Sequence, residues 1–594
     1  MNYENPLIVQ GDRTLLLDVH APLAEECRNA LIPFAELEKS PEHLHTYKLS
    51  PLSLWNAASA NFSAEDVVAV LQKYARYDVP QSIVTWIKEI SSRFGKIKLT
   101  DAPDVHFADE IENTAVEKTE DGKEIVKEIK EQYLYLVANS LPVFKEIGAN
   151  PSVKKYLTIP TKTTAHDAPD FSFILKLTDR GTIKQLLLQS GWPVKDEVPL
   201  CDGESLSVNL KNKTASGREF IIRDYQKKSA QALIGDKGPG TGFGTIVLPC
   251  GAGKTIVGMT IMDMLKTSTL IITTNISAVH QWIDELLDKT DLDKDQIAEY
   301  SGENKEIKPV TVATYQILTW RPNKDGPYPH FSLFHKRNWG LIIYDEVHML
   351  PAPVFRVVAE LQAVRRVGLT ATLVREDGCE GYVFSLVGPK RYDVPWKELE
   401  RDHWIASAEC IEVRIDLPVS SEIDYAVSTA REKHKIASMN PNKLPIVKEI
   451  LQKCPNDKIL VIGQYIQQLD LIAKELNVPI ITGKTPNAER DAIYTDFRNG
   501  KINVLVVSKV ANFAIDLPDA SVAIQVSGTF GSRQEEAQRL GRILRPKERK
   551  SRFFTLITRN TVEEEFGSNR QKFLAEQGYE YKIVRYDGEL NFEE

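Results

Sequence analysis

TIVLPCGAGKTIVGMTIMDML, residues 245–265, decides the fold class. An apolar strand runs into a short glycine-rich loop, and the loop into an apolar helix. A phosphate cradle needs that order, because a helix N-terminus offers unpaired N–H groups and the positive end of its dipole. Gly251 and Gly253, with Ala252 between them, let the backbone close on phosphate oxygens; Lys254 is placed to reach the terminal phosphates of ATP and Thr255 to hold Mg2+. A strict phosphate loop would carry glycine where Leu248 stands, so the match is to the shorter GxGKT form. The glycines of GPGTGFG, residues 238–244, precede a strand and open no helix, so they read as a turn and not as a second nucleotide site.

Outward from that loop, short apolar strands alternate with amphipathic helices from about residue 219 to 584, the signature of parallel α/β sheets. Strand character is lost near 391–403 and resumes at Lys458, which divides the pattern into two α/β domains joined near residue 400. LIIYDEVH, residues 341–348, delivers Asp345 and Glu346 at the carboxyl end of a strand, where open α/β sheets bind ligands. Asp345 suits magnesium coordination, and Glu346 suits polarising the attacking water, since phosphoryl transfer depends on positioning the nucleophile. An acidic helix cap is the plain alternative, and the GKT loop upstream outweighs it. His348 is a candidate link to neighbouring motifs. Thr370 and Thr372, in GLTAT, place two hydroxyls in a tight turn that could couple the ATP site to a bound strand or simply form an ST-turn. In QEEAQRLGRILRP, Arg539, Arg542 and Arg545 recur at a spacing of three beside Gln538. Such guanidiniums can meet transferring phosphate across a cleft, or form a solvated basic face.

Composition narrows the classes. At 594 residues the chain exceeds one core, and a hydrophobic share of 42% is that of ordinary globular protein. A net charge of -8 argues against indiscriminate coating of nucleic acid or membrane, so phosphate binding must be local. Six scattered cysteines without a CxxC pair suggest neither a disulfide framework nor a zinc site. No stretch is apolar for long enough to cross a bilayer and the N-terminus lacks a leader pattern, so an intracellular protein with no membrane partner is expected.

Before the α/β region, a strand at Leu15–Leu17 precedes three helical pieces between Pro51 and Phe94; Ser63 and Asp66 make a capping box, and Pro80 opens the third piece. KIKL follows as a strand. Three helices and a strand read as a winged helix or as a small helical packing module. Residues 104–131 are charged in both signs, a solvated wing or linker. A mixed segment between Pro151 and Val198, with FSFILKL and TIKQLLLQSG, reads as a small second domain. The expected organisation is an accessory unit at 1–135, a mixed α/β module at 136–205, and α/β domains at 206–400 and 401–594.

Together GKT, DEVH, Thr-Ala-Thr and QRLGRILR resemble superfamily-two helicases. Arg375-Glu376-Asp377, MNPNK at 439–443, SKV at 508–510, DLP at 516–518 and the closing QGYEYKIV resemble the XPB helicase family in particular. The resemblance covers essentially the whole chain and is strongest from about 223 to 584. It implies two RecA-like domains with ATP and Mg2+ between them, a damage-recognition-like module at 136–205, and a thumb near 420–438 that grips DNA through Arg431, Lys433 and Lys435. It further implies that Arg223, Tyr225 and Gln226 form the adenine-side motif, that Asp516 lies on motif V with Gln464 near motif IV, and that the RED triplet helps open duplex. The implied activity is 3′-to-5′ DNA helicase action on duplex or forked DNA in repair or transcription. A nuclease or other repair protein is the partner class, in the cytoplasm or nucleoid of a microbe or in a eukaryotic nucleus. Two other functions remain open: a duplex translocase without processive unwinding, and an ATP-switched DNA-binding scaffold for a nuclease. RNA is the weaker substrate.

Overall fold

The computed structural model describes residues 4–39, 43–105, 113–118, 124–129, 132–235, 241–249, 251–323, 328–334, 336–350, 354, 364–371, 380–394, 396–508, 520–528, 539–540, 550–576, 579 and 581–592. Its frame is two seven-stranded sheets, each wholly parallel. Across the first the strands run Ile297–Tyr300, Val310–Thr314, Thr269–Thr273, Leu341–Asp345, Arg365–Thr370, Phe243–Val247 and Lys390–Asp393. Across the second they run Ile480–Ile481, Val504–Val507, Ile459–Ile462, Val522–Gln525, Ser551–Thr558, Ala408–Ile415 and Tyr581–Arg585. Every residue of Phe243–Val247, Thr269–Thr273 and Val310–Thr314 is buried. Helices cover both faces of such a sheet, so its strands read as continuous apolar runs without alternation. The segment 391–403, expected to lack strand character, supplies an edge strand instead: Lys390–Asp393 pairs with Phe243–Val247. One apolar cluster then continues through Trp396, Leu399 and Ile405 into Cys410 and Leu460, joining the two sheets through their connector.

The N-terminal unit differs from a winged helix. The three expected helices form at Pro51–Ser59, Ala64–Tyr74 and Gln81–Ser91, with serine capping boxes at Ser50 and Ser63. Pro80 sits at the cap position, one residue before the third helix. Trp55 Nε1 donates to Ile90 O at 3.0 Å and pins the first helix to the third. Their sheet is four-stranded and antiparallel, ordered Leu7–Val9, Thr14–Asp18, Leu44–Lys48 and Glu36–Lys39, so it is built before the helices and not after them. The strand that follows, Ile97–Asp101, leaves for the next unit, where it pairs with Tyr133–Ala138 and Val194–Asp196. The mixed unit therefore begins earlier in the chain than the expected 136. Within the charged segment, Asn113–Lys118 and Glu124–Ile129 form a two-stranded antiparallel hairpin.

Candidate functional site

The GKT loop closes as its glycines require. Gly253 is left-handed (φ +78°), and a Cβ there would lie 2.6 Å from Gln226 Nε2, so a larger residue is excluded on two counts. The helix Lys254–Leu265 starts at once, and at Gly258 it passes so near the Trp282 ring that a Cβ would fall 2.7 Å from it. Arg223, Tyr225 and Gln226 form one knot beside the loop. Tyr225 Oη and Gln226 Nε2 both donate to Ala252 O, at 2.7 and 2.9 Å, while Gln226 Oε1 accepts from Arg223 N at 3.0 Å. The Arg223 guanidinium donates to Tyr225 Oη at 2.9 Å and stacks 4.7 Å from the Trp404 ring centroid. The three residues assigned to the adenine side thus hold the loop by its backbone.

Asp345 and Glu346 emerge from Leu341–Asp345, separated from the loop's own strand by Arg365–Thr370. Lys254 Nζ lies 3.7 Å from Glu346 Oε1, which brings the ammonium beside the carboxylate that follows Asp345. Asp345 is fixed by Trp282 Nε1, donating at 2.9 Å, and by Thr273 Oγ1 at 3.4 Å; Tyr315 Oη donates to its carbonyl at 3.0 Å. Burial, reinforced by the negative charge of Glu346, pushes the Asp345 carboxyl up to about 6. Glu346 itself is left-handed (φ 49°, ψ 54°), a conformation that costs a non-glycine residue free energy and that the surrounding contacts must enforce. His348 Nδ1 is 2.6 Å from Thr370 Oγ1 and 3.5 Å from Glu346 Oε2, so His348 joins the catalytic candidate to the first threonine of the Thr-Ala-Thr motif. Gly368 makes room for this turn, because a Cβ there would meet Val347 at 2.8 Å.

A divalent cation suits these residues. Two adjacent carboxylates share a largely buried niche with a single ammonium, and Glu346 Oε2 is buried and makes no hydrogen bond among the described residues, His348 Nδ1 standing off at 3.5 Å. Thr255 stands half-buried in the first turn of the helix.

Arg539 belongs to a different environment. It is 1% exposed, and its guanidinium donates to Gln525 Oε1 and, at 3.5 Å, to Ser527 O, inside the second sheet's core. Its described contacts are structural; none reaches the Lys254 group. Thr372, Arg375, Glu376, Asp377, Asp516, Gln538, Arg542 and Arg545 lie outside the described residues. Gln464 follows Ile459–Ile462, its N–H donating to Ser527 Oγ at 2.9 Å. The segment expected to form a thumb, 420–438, is two helices, Val419–Val427 and Ala430–Ser438, the second opened by a capping box at Thr429. Sequence reasoning missed Trp282, Thr273 and Tyr315 as supports of Asp345. They sit on an amphipathic helix, a buried strand and a short helix, where nothing in their spacing distinguishes them from core.

Residues 399–593 match the ERCC3/RAD25/XPB C-terminal helicase family, 219–375 match the type III restriction enzyme res subunit, and 7–158 match a helicase conserved C-terminal domain. The chain is 46% identical over 588 residues to the DNA 3'-5' helicase XPB of Kineococcus radiotolerans, covering 98% of this chain and 97% of that one. It is 46% identical over 582 residues to the protein of the same name from Mycobacterium tuberculosis, with 98% of each covered. It is 31% identical to the Saccharomyces cerevisiae general transcription and DNA repair factor IIH helicase/translocase subunit XPB/SSL2, covering 98% of this chain and 72% of that one.

Proposed function

Because this chain belongs to the XPB helicase family of ATP-dependent DNA helicases, we propose that Lys254, Asp345 and Glu346 form the centre at which it hydrolyses ATP to drive duplex DNA apart. The chain is an enzyme, an ATP hydrolase acting on DNA. The observation that carries the assignment is the approach of Lys254 Nζ to Glu346 Oε1, 3.7 Å, from segments that follow two separate strands of one sheet. Lys254 neutralises charge on the terminal phosphates, and Thr255 with Asp345 would hold Mg2+, which would supply further charge neutralisation there. Glu346 orients the attacking water and accepts its proton. His348 relays the state of Glu346 to Thr370. Arg223 and Gln226 hold the adenine side, while Arg542 and Arg545 complete the charge stabilisation from the second domain. Thr372, Arg375, Glu376, Asp377 and Asp516 serve the DNA side.

Translocation runs 3′ to 5′, the polarity printed in the names of the two bacterial relatives, on duplex or forked DNA in repair or transcription-linked processing. A repair nuclease is the partner class and the cytoplasm or nucleoid the address; no described helix is long and apolar enough to cross a membrane. The test is ATP turnover alone and with single-stranded, duplex and forked DNA, beside strand displacement on the same fork. Fork-stimulated hydrolysis with displacement supports the helicase reading. Stimulation by duplex without displacement replaces it with translocation, and slow turnover with tight ATP-dependent binding replaces it with a scaffold.

A further inference from the structure

The knot of Arg223, Tyr225 and Gln226 reaches a residue that no motif contains. Trp404 lies on the connector that leads from the first sheet to the second, and it is 39% exposed. The connector around it is well anchored: Trp396, Leu399 and Ile405 are each 2% exposed or less and belong to the cluster that joins the two sheets. The helix Trp396–Arg401 ends in a tight turn, with Trp404 N donating to Leu399 O at 2.8 Å and His403 left-handed (φ +58°). Such a backbone costs a non-glycine residue free energy. The turn buries Ile405 and leaves the Trp404 indole exposed beside the knot.

Trp404 holds Arg223 by ring and by backbone. The guanidinium carbon is 4.7 Å from the indole centroid, and Arg223 Nη1 donates to Trp404 O at 3.4 Å and to Tyr225 Oη at 2.9 Å. Tyr225 Oη in turn donates to Ala252 O of the GKT loop at 2.7 Å. One chain of contacts therefore runs from the connector to the phosphate cradle. An arginine stem laid over an exposed tryptophan can be plain surface packing. Such packing needs neither the carbonyl contact nor the hydroxyl relay, which together pin the guanidinium against the ring. A planar guanidinium stacks on aromatic faces, and a purine offers one.

We infer that Trp404 is a positioning residue for the adenine of ATP: its indole holds the Arg223 guanidinium as the plate on which the purine stacks. The inference rests on the assignment of Arg223 to the adenine side. Without the indole, Arg223 is free to turn, so the base loses its plate while the phosphates keep Lys254. Because Trp404 belongs to the connector, filling the base site is felt by the segment that links the two sheets.

The test uses the full chain. ATP turnover on forked DNA is read in steady state at constant free Mg2+, with ADP and inorganic tripolyphosphate, which has the phosphates without the base, titrated as inhibitors. Trp404→Ala should raise the KM for ATP and the inhibition constant of ADP roughly fivefold, the scale of one cation–π contact, while kcat and the tripolyphosphate constant change far less. Trp404→Phe keeps a π face and should restore most of the loss; Trp404→Leu keeps bulk without one and should not. That pair decides the matter if Trp404→Ala does not fold. Equal weakening of ADP and tripolyphosphate would make Trp404 a support of the fold alone. Tighter ADP would make the indole a plug in the base site, and unchanged constants would remove it from the site; each of the three overturns the inference. Arg223→Ala separates the two layers. If it too leaves ADP unaffected, the adenine-side assignment fails as well, and if it weakens ADP while Trp404→Ala does not, only the role of Trp404 fails.

Discussion

At the scale of single residues, Glu346 and His45 make opposite demands on their surroundings. Glu346 is held in a left-handed backbone with its carboxylate between Lys254 and His348. Glu346→Gln keeps the volume and loses the base, so ATP binding should persist while turnover falls by roughly two decades or more, the range general base catalysis contributes; near-normal hydrolysis in steady-state assays would reassign the residue. His45 is buried in the N-terminal sheet, and burial, with the Arg28 charge added, lowers its pKa from 6.5 to about 4. Between those values the unfolded chain binds the proton that the folded chain refuses. Stability therefore rises with pH across that window and is lost on acidification through it, by about 3 kcal/mol for the full shift. Melting of the wild type from neutral pH down to acid should show this slope, and His45→Leu should flatten it. The candidate residues that the first sheet brings together, Lys254, Glu346 and His348, stood out in the sequence because their motifs are short and local. Trp282 and Tyr315 did not, since their roles exist only once distant elements bring them to Asp345.

At the scale of elements, the MNPNK stretch shows how a motif that marks a family can be structural. Lys443, 1% exposed, donates to both Glu563 oxygens at 2.8 and 2.9 Å and to Val526 O at 2.9 Å, tying the helix Lys443–Lys453 to Val562–Glu576. Glu563 in turn accepts from Thr558 N at 2.9 Å. Breaking one side of such a pair strands the other charge, so Lys443→Met should cost about 3–5 kcal/mol in chemical denaturation, whereas Lys443→Met with Glu563→Leu should recover most of it. If the double variant is no more stable than the single, the pair stabilises by attraction and not by mutual compensation. Parallel strands were readable from unbroken apolar runs. The strand Ile97–Asp101 was assigned to the wrong neighbour because a strand's partner depends on contacts far along the chain, here with residues 133–138 and 194–196. Lys390–Asp393 is half-buried throughout and reads Lys-Arg-Tyr-Asp, with three charged residues in four, so its apolar signal is weak.

At the scale of the whole molecule, hydrolysis must be converted into strand separation. Neutralising Arg375, Glu376 and Asp377 together with alanine should leave DNA-stimulated ATP turnover largely intact and abolish most fork unwinding, provided the melting transition is unchanged. Wild-type unwinding per ATP would make the triplet a solvated loop. The grip on DNA should be electrostatic: log affinity should fall linearly with log salt, with a slope of about -0.9 per duplex phosphate neutralised, and base composition should matter little. A flat response would exclude backbone tracking.

The N-terminal core includes Phe384 and Ala575, and the helix Val562–Glu576 lies against the strand Glu36–Lys39. That unit is therefore completed by residues synthesised several hundred positions after its own helices. At synthesis rates of roughly 5–20 residues per second, its apolar face waits on the order of half a minute or more for Ala575 to emerge. Through that interval the nascent chain carries an uncovered sticky surface, and a chaperone's shelter, or slow elongation at low temperature, should govern how much of the protein matures instead of aggregating.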